Sequence, residues 1–217
     1  VANTSVTVAT LSFADLKTPE HLERNPMGTS PTLTDSQEGI AIWESGAVLT
    51  YLLECYDKDF RLHPQPGVAP LADRAKFLHL QQYILATVYP FVASLFIHTL
   101  KPKADQDPGY VELSIAKWKS ILAPTLVTFL GPSPYFMGDH LSAIDLLVAK
   151  PLNNAHSLGI LQDFPTLLAL LEKITSRPSF ALAYNPPTTP AVDQTTSSHK
   201  EARSLVLAPT VEPVQKV

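Results

Sequence analysis

The hydrophobic and polar positions follow two different periods in the two parts of the chain. Near the start, Val6, Val8 and Thr10 alternate with their neighbours, and this alternation of β-branched residues predicts a strand that ends near Phe13. In the second part the apolar residues recur every three or four positions, which is the period of a helix that buries one face. The pattern therefore predicts an α+β chain, with a mixed part followed by an all-helical part.

The first part contains residues that favour the starts and ends of four further elements. Thr18-Pro19-Glu20 favours the start of a short helix, because threonine caps and proline suits the first turn, and Asn25-Pro26 ends it. Residues 31–35 and 40–43 predict a hairpin. A helix over residues 45–56 follows, so the predicted order is β-α-β-β-α. Its expected buried stripe consists of Ala47, Val48, Leu52 and Cys55.

Composition divides the chain further. The predicted segments are residues 1–57 as a mixed α/β part, 58–70 as a proline-rich linker, 71–184 as a helical domain and 185–217 as a mostly disordered tail. The predicted helices of the third segment cover residues 72–100, 109–130, 142–156, 164–176 and 179–184.

One apolar stretch admits two interpretations. Residues 77–100 contain no Asp, Glu, Lys or Arg, which is compatible with a membrane span. His79, Gln81 and Pro90 favour a long helix inside a globular bundle, because polar groups are expensive in lipid. We therefore expect no membrane partner.

Charge and cysteine content exclude several classes of partner. The net charge of −4 gives no basic surface for nucleic acid, and the seven histidines show no metal-ligand spacing. A single cysteine, Cys55, excludes an intrachain disulfide, and residues 1–13 do not have the pattern of a secretory signal. We expect a cytoplasmic protein. Because the chain begins with Val1 rather than Met, we also expect a fragment or a processed product.

Four segments in order carry a resemblance to a known family. They are the Asn-Pro-to-strand segment Asn25–Asp35, the Glu-Ser helix start Trp43–Leu52, the folding motif Tyr135–Asp145 and the closing Arg-Pro of Arg177–Phe180. Together they resemble the cytosolic glutathione S-transferases, over about Val6 to Tyr184. The resemblance implies a thioredoxin-like N-terminal domain, here truncated, an all-α C-terminal domain and a homodimer.

Glu44 and Ser45 are the first candidate ligand-binding pair. Glu44 can pair with the ammonium of the γ-glutamyl end of glutathione. Ser45 offers a hydroxyl and a backbone N–H to its carboxylate at a helix N-terminus, where the dipole favours an anion. The alternative is a plain helix cap by Ser45.

Ser30 and Pro31 are the second candidate pair. The resemblance implies a cis bond between them, with the backbone of Ser30 binding the cysteinyl unit of glutathione like an added strand. The alternative is a trans proline that starts an edge strand. Lys17 and His21 are candidates for the glycine carboxylate, although we expect solvated surface for both.

Two further features are interpreted as structural. Ser142 and Asp145 have the spacing of a capping box and are assigned to folding of the helical domain. Cys55 is interpreted as a buried, inert cysteine on the apolar face of its helix.

The catalytic residue has no match. The family places its thiol-activating Tyr, Ser or Cys just after a first strand, but the resemblance begins at the family's second strand, and Ser5 and Ser12 lie in the wrong element. We expect the sheet to lack an interior parallel strand, which exposes an edge or requires a substitute. We also expect this chain alone to be weak or inactive in catalysis.

Three functions remain open from the sequence. The first is a detoxifying transferase that joins glutathione to a small electrophile, with glutathione as a co-substrate rather than a cofactor. The electrophile would lie beside the first long helix. The aromatic residues of that helix line either the substrate pocket or the core, and they are Tyr83, Tyr89, Phe91 and Phe96. The second is a non-enzymatic interaction module like the gamma subunit of a translation elongation factor. The third is a glutathione-dependent reductase. No metal is expected.

Overall fold

The computed structural model of the chain describes residues 5–36, 38–184 and 204–207. It divides into two compact units. The first contains the described residues of Val1–Leu52 and Ala181–Val217, and the second contains Leu53–Phe180. The two units are described separately below, and the predicted domain boundaries stay a prediction.

The elements of the first part of the chain appear in the predicted order. They are β1 (Ser5–Val8), α1 (Pro19–Arg24), β2 (Thr32–Asp35), β3 (Ile40–Trp43) and α2 (Ser45–Tyr56). The predictions for the hairpin and for α2 are confirmed at or within one residue of each boundary. Thr18 caps α1, because its side chain accepts a hydrogen bond from the backbone N–H of His21 at 3.4 Å.

The first strand ends earlier than predicted. It stops at Val8, not near Phe13. A turn follows in which the backbone N–H of Ser12 donates to the Asp15 carboxylate at 2.8 Å and the N–H of Asp15 donates to the Ser12 hydroxyl at 3.2 Å. These local side-chain bonds offer the backbone an alternative to the sheet ladder.

A strand from the far end of the chain completes the sheet. Ser204–Leu207 forms β4, and the strand order is β1-β4-β2-β3. β4 runs parallel to β1 and antiparallel to β2. The interior position that the sequence suggested would be empty is therefore occupied by a substitute. The predicted disorder of the remaining tail, residues 185–203 and 208–217, lies outside the described residues.

The buried face of α2 differs from the predicted stripe. Val48 and Leu53 are buried, Leu52 and Cys55 are partly exposed, and Ala47 is exposed. At about 100° per residue, Ala47 lies opposite the midpoint between Val48 and Leu53, and Cys55 lies at the margin of that face. Only Val48 of the predicted stripe is buried, so the predictions of a buried Ala47, Leu52 and Cys55 are wrong.

The second unit is built from consecutive helices. After the last turn of α2 they are α3 (Leu71–Tyr83), α4 (Tyr89–Leu100), α5 (Pro108–Lys117), α6 (Ala123–Leu130), α7 (Ala143–Ser157), α8 (Pro165–Thr175) and the start of α9 (Pro178–Tyr184). Each predicted helix is confirmed to within one or two residues.

Two π-helical segments join these helices. Ile84–Val88 connects α3 to α4, and Trp118–Leu122 connects α5 to α6. Each lies just before a proline, Pro90 or Pro124, and proline cannot donate to the preceding turn and clashes with it. A wider turn accommodates the proline without ending the helical run.

The helical run Leu71–Leu100 is long and apolar enough, by length and composition, to cross a membrane. That is weak evidence for a span, because the core helix of a globular protein passes the same test. Its most apolar 18-residue window has a mean hydropathy of 1.6 and is 22% buried. Ile84, Val88, Val92 and Leu95 form its buried stripe, so the run contributes one face to the helical core.

The predicted structural role of Ser142 and Asp145 is confirmed. Asp145 is fully buried, and its carboxylate accepts from the Ser142 N–H at 2.8 Å, the Ser142 hydroxyl at 2.6 Å and the Phe136 N–H at 2.9 Å. Burial raises the pKa of Asp145 in spite of these bonds. The pair fixes the loop before α7 to the first turn of that helix.

Candidate functional site

Strand register brings the two predicted pairs to one end of the hairpin. Thr32 is the cross-strand partner of Trp43. Ser30-Pro31 directly precedes Thr32, and Glu44-Ser45 directly follows Trp43. The peptide bond between Ser30 and Pro31 is cis, as the resemblance implies. All four predicted residues therefore lie at the same end of the β2–β3 hairpin.

Glu44 joins β3 to α2 in an unusual backbone conformation. Its φ is +74°, in the left-handed region that side chains other than glycine seldom adopt, and its side chain is exposed. Its carbonyl accepts the N–H of Val48 at 2.9 Å, which starts the helical hydrogen bonding of α2. Such strain costs about 1–3 kcal/mol and concentrates at ligand-binding positions.

Ser45 is the first residue of α2, a helix of 12 residues. The first N–H groups of a helix have no partner within it, and the helix dipole places partial positive charge there. The structure therefore combines an exposed carboxylate at Glu44 with an anion-favouring position at Ser45. This is the charge pattern that complements an amino acid, with its ammonium and carboxylate groups.

A buried asparagine holds the loop that leads to Pro31. The Asn25 side chain is fully buried, and its amide N–H donates to the carbonyl of Thr29 at 2.8 Å and to the hydroxyl of Thr32 at 3.0 Å. Its amide oxygen accepts the N–H of Met27 at 3.1 Å. One side chain thus fixes both ends of the segment before β2.

Lys17 and His21 bind the same loop. His21 is 2% exposed, and its Nε2 lies 3.1 Å from the Thr29 carbonyl, to which it donates as the Nε2–H tautomer. The ammonium of Lys17 donates to the carbonyls of Gly28 at 2.9 Å and Met27 at 3.3 Å. The expectation of solvated surface is therefore wrong for His21. Lys17 is exposed, but it too holds the loop.

Gly28 is required by this arrangement. Its φ is +58°, and a Cβ at this position would lie 2.8 Å from the carbonyl oxygen of Leu16 and 2.8 Å from the ammonium of Lys17. Both approaches are closer than real Cβ contacts allow. The loop can therefore pass this close to the 3₁₀ turn Asp15–Lys17 only with glycine there.

Comparison with known proteins decides the family. The family model described as the glutathione S-transferase N-terminal domain matches residues 1–54, and the one described as the glutathione S-transferase C-terminal domain matches residues 87–184. The chain belongs to a glutathione S-transferase-like family. The predicted fold, a thioredoxin-like domain with an all-α C-terminal domain, is thereby confirmed.

Individual relatives agree with this assignment. The glutathione S-transferase-like protein OpS6 of Beauveria bassiana is 30% identical over 136 residues, which cover 63% of this chain and 61% of that protein. The match thus spans less than two thirds of the length of that relative.

Solved structures show the same fold. The glutathione transferase URE2P6 of Phanerochaete chrysosporium, in complex with oxidized glutathione, has a TM-score of 0.69 at 22% identity and covers 79% of each chain. A glutathione transferase homolog of Lodderomyces elongisporus, with two GSH per subunit, has a TM-score of 0.71 at 21% identity and covers 83% of this chain and 87% of that one.

Sequence reasoning missed how this glutathione S-transferase-like chain supports its site. The sequence marks Asn25 as a helix stop and as the start of the family-like segment, and His21 as a surface candidate for the glycine carboxylate, but it predicts neither as a support of the loop. The signal was available in the neighbouring Gly28, since a glycine followed by Thr29 and Ser30 indicates close backbone approach that needs polar partners. Within residues 5–36 and 38–184, no group of three His, Cys, Asp or Glu side chains is placed to hold a metal.

Proposed function

We propose that this chain binds glutathione at the end of the β2–β3 hairpin, where Ser30, Pro31, Glu44 and Ser45 lie, and transfers it to a small electrophile. The observation that carries the proposal is the conformation of Glu44, exposed with a φ of +74° immediately before the N-terminus of α2. A structural cap would not require an exposed carboxylate in a strained conformation.

The proposed contacts follow from complementary chemistry. The Glu44 carboxylate pairs with the glutamyl ammonium, and the hydroxyl and N–H of Ser45 bind the glutamyl carboxylate at the start of α2. The backbone N–H and C=O of Ser30 bind the cysteinyl unit as an added strand. The presence of glutathione in URE2P6 and in the Lodderomyces elongisporus homolog, which share the fold, supports this choice of ligand.

In the proposed reaction the glutathione sulfur, as thiolate, forms a bond to an electrophilic carbon while the leaving group departs with its electron pair. The proton of the thiol goes to solvent. The proposed contacts assign no hydrogen-bond donor to the sulfur, and a thiol without such a donor is mostly protonated at neutral pH. We therefore propose that the conjugation is slow.

The electrophile is proposed to bind beside the helical unit. Of the four aromatic candidates, Tyr83 packs within that unit, because its hydroxyl donates to the Leu122 carbonyl at 3.4 Å and its ring lies 6.3 Å from that of Phe129. Burial raises the pKa of both Tyr83 and Tyr89, which favours the neutral phenol in each. Phe91 and Phe96 are the better candidates for an apolar wall.

The biological setting is proposed from the family. A homodimer in the cytoplasm that detoxifies electrophiles is the expected form, and sedimentation of the purified chain measures its oligomeric state directly. A monomeric mass at micromolar concentration would contradict the dimer and leave the binding proposal standing.

The binding proposal is tested by replacing Glu44 with Gln. Loss of a charge-assisted hydrogen bond costs about 1.5–3 kcal/mol, so we expect the glutathione affinity to fall by about 10- to 100-fold. Glu54→Gln is the matched control, because Glu54 is also exposed and lies on α2. Isothermal titration with glutathione gives both affinities, and equal affinities for the two variants would reject the site.

Catalysis is tested separately with an activated aryl chloride. We expect a conjugation rate that is measurable but far below that of an efficient enzyme, whose kcat/KM is at least about 10⁴ M⁻¹s⁻¹. A rate at that level would contradict the proposed slow chemistry. Complete failure to bind glutathione would instead favour the interaction-module function.

A further inference from the structure

β4 is the only connection between β1 and the rest of the sheet among the described strands. In the order β1-β4-β2-β3, the first strand has β4 as its single neighbour, and β2 has β4 on the side away from β3. Without β4 the sheet would reduce to the β2–β3 hairpin and a separate β1. A two-stranded hairpin is marginally stable in water, so the sheet needs this strand.

The pairing of β4 extends over its whole length. Ser204 to Leu207 pair in register with Ser5 to Val8, and Leu205 to Leu207 pair with Asp35 to Leu33. Parallel pairing on one side and antiparallel pairing on the other define the slot between β1 and β2. Only a strand running in one direction satisfies both neighbours.

The carboxyl end of β4 reaches the candidate site. Leu207 pairs with Leu33, two residues after Pro31, and Leu33 in turn pairs with Ile42, two residues before Glu44. The strand therefore stands between β1 and the hairpin at the edge where the four proposed binding residues lie. Its loss would remove the lateral support of β2 at that edge.

The sequence of β4 suits an interior position. Leu205, Val206 and Leu207 form a continuous apolar run, which is typical of strands covered on both faces. Pro209 follows two residues later and cannot donate to a ladder, so it ends the pairing. Charged residues flank the other end at Glu201 and Arg203.

The chain itself is the natural source of this strand. Residues 185–203 join α9 to β4 within the same chain, and about 20 residues span at most roughly 65 Å when fully extended. Such a tether raises the effective concentration of the strand at its slot to about the millimolar range. A strand from a second copy would have to compete with this local concentration.

We propose that the slot between β1 and β2 is a strand-docking site filled in cis by Ser204–Leu207, and that this C-terminal strand is required for the ligand-binding unit to form. The consequence for glutathione rests on the proposed function. The consequence for the sheet does not depend on any ligand.

The test is Val206→Pro in the full chain, with Val211→Pro as the matched control outside β4. Proline at 206 removes the backbone N–H of the residue that pairs with Thr7 on one side and with Thr34 on the other. We expect hydrogen exchange of the amides of residues 5–8 to accelerate by at least about 100-fold in Val206→Pro only. Glutathione affinity should fall by at least about tenfold in the same variant.

The two readouts separate the two proposals. Accelerated exchange at β1 in a protein whose parent never binds glutathione rejects the proposed function and supports the docking strand. Unchanged exchange at β1 in Val206→Pro, or equal acceleration in Val211→Pro, overturns the docking strand whatever the glutathione result.

A crosslink distinguishes the cis strand from one supplied by a second copy and does not depend on the proline variant. Thr34 and Val206 are cross-strand partners, and Cβ atoms of such partners lie about 4.5–5.5 Å apart, within the range that a disulfide can bridge after small adjustment. In a Cys55→Ser background, Thr34→Cys with Val206→Cys should form an intrachain disulfide at monomer mass. An interchain disulfide, or none, overturns the proposal.

Discussion

The two units of this chain are assembled in opposite ways. The helical unit uses one continuous stretch, Leu53–Phe180, in which the helices follow one another along the chain. The sheet of the other unit joins β1 near the start of the chain to β4 near its end. One unit depends on local sequence, and the other depends on a pairing between residues about 200 positions apart in a chain of 217.

This difference has a physical consequence for stability. Closing a long loop costs conformational entropy that grows slowly with length, so a distant strand can be recruited at modest expense. However, β4 has only four residues, so each cross-strand pair that is lost removes a large share of its pairing with β1 and β2. We therefore expect loss of the four residues of β4 to affect the sheet unit far more than the helical unit.

The largest effect is expected from removing the distant strand altogether. A chain that ends at residue 203 should lose glutathione binding by more than about 100-fold, because β1 and β2 lose their common neighbour. Hydrogen exchange within the helices of Leu53–Phe180 should change little. Loss of protection in both units together would show that the helical unit also depends on the tail and would remove the contrast.

A chain that ends at Leu207 is the matched control, since it keeps all of β4. We expect it to bind glutathione like the full chain.

Thr210 carries the one side-chain hydroxyl among residues 208–217, so Thr210→Val in the full chain tests whether that segment activates the thiol. Because we propose slow conjugation without a donor, we expect the rate to be unchanged, and a fall in rate with binding intact would contradict that proposal.

The second effect concerns the core of the helical unit. Leu126 on α6 is fully buried, and Leu126→Ala should destabilise the unit by about 2–5 kcal/mol through lost burial and a residual cavity. Leu113→Ala on α5 is the control, because Leu113 is 73% exposed and should cost less than about 0.5 kcal/mol. Urea unfolding followed by exchange of helical amides measures both, and exchange at β1 should not change.

How much the sequence could predict follows the same division. The helices and the hairpin were predictable because caps, prolines and apolar periods act within a few residues, as at Thr18, Ser142 and Pro108. The four site residues were predictable from the resemblance, and the register Thr32 to Trp43 places them at one edge. Their role in binding stays a prediction.

The distant strand could not be predicted in the same way. Leu205-Val206-Leu207 is too short a run to be separated from a disordered tail by period alone. What identifies it as a strand is its pairing with both β1 and β2, which no local pattern encodes. Likewise, the burial of His21 depends on the position of Thr29, eight residues later.

A smaller effect is expected at Gly28 in the sheet unit. Gly28→Ala meets the Leu16 carbonyl, which is backbone and cannot move aside, and also needs a positive φ, so we expect a loss of about 2–3 kcal/mol. Gly39→Ala is the control, since its φ is also positive but nothing lies within 4 Å, which leaves about 1 kcal/mol of backbone strain. Equal losses would show that close approach at Gly28 is unimportant. Denaturant midpoints of the sheet unit measure the difference.

The smallest effect is a pH dependence in the helical unit. The Asp57 carboxylate accepts from the N–H groups of Leu62 at 2.8 Å and Arg61 at 3.0 Å and from Nδ1 of His63 at 2.9 Å. The Leu62 carbonyl accepts the N–H of Ala143 at 2.8 Å, so this turn also fixes the start of α7. Burial alone would raise the pKa of Asp57, but the hydrogen bonds from Leu62, His63 and Arg61 together lower it.

A lowered carboxyl pKa means that the native state binds the proton less tightly than the unfolded chain does. The stabilisation from Asp57 is therefore present above the unfolded pKa and is lost as the pH falls through the folded pKa. That window lies below about pH 4. At neutral pH, Asp57→Asn should cost about 1–2 kcal/mol, and the difference from the parent should shrink between about pH 4 and pH 2. Urea midpoints of the helical unit across that range measure it. A difference that stays constant would mean that the turn is held by shape rather than by the charge of Asp57.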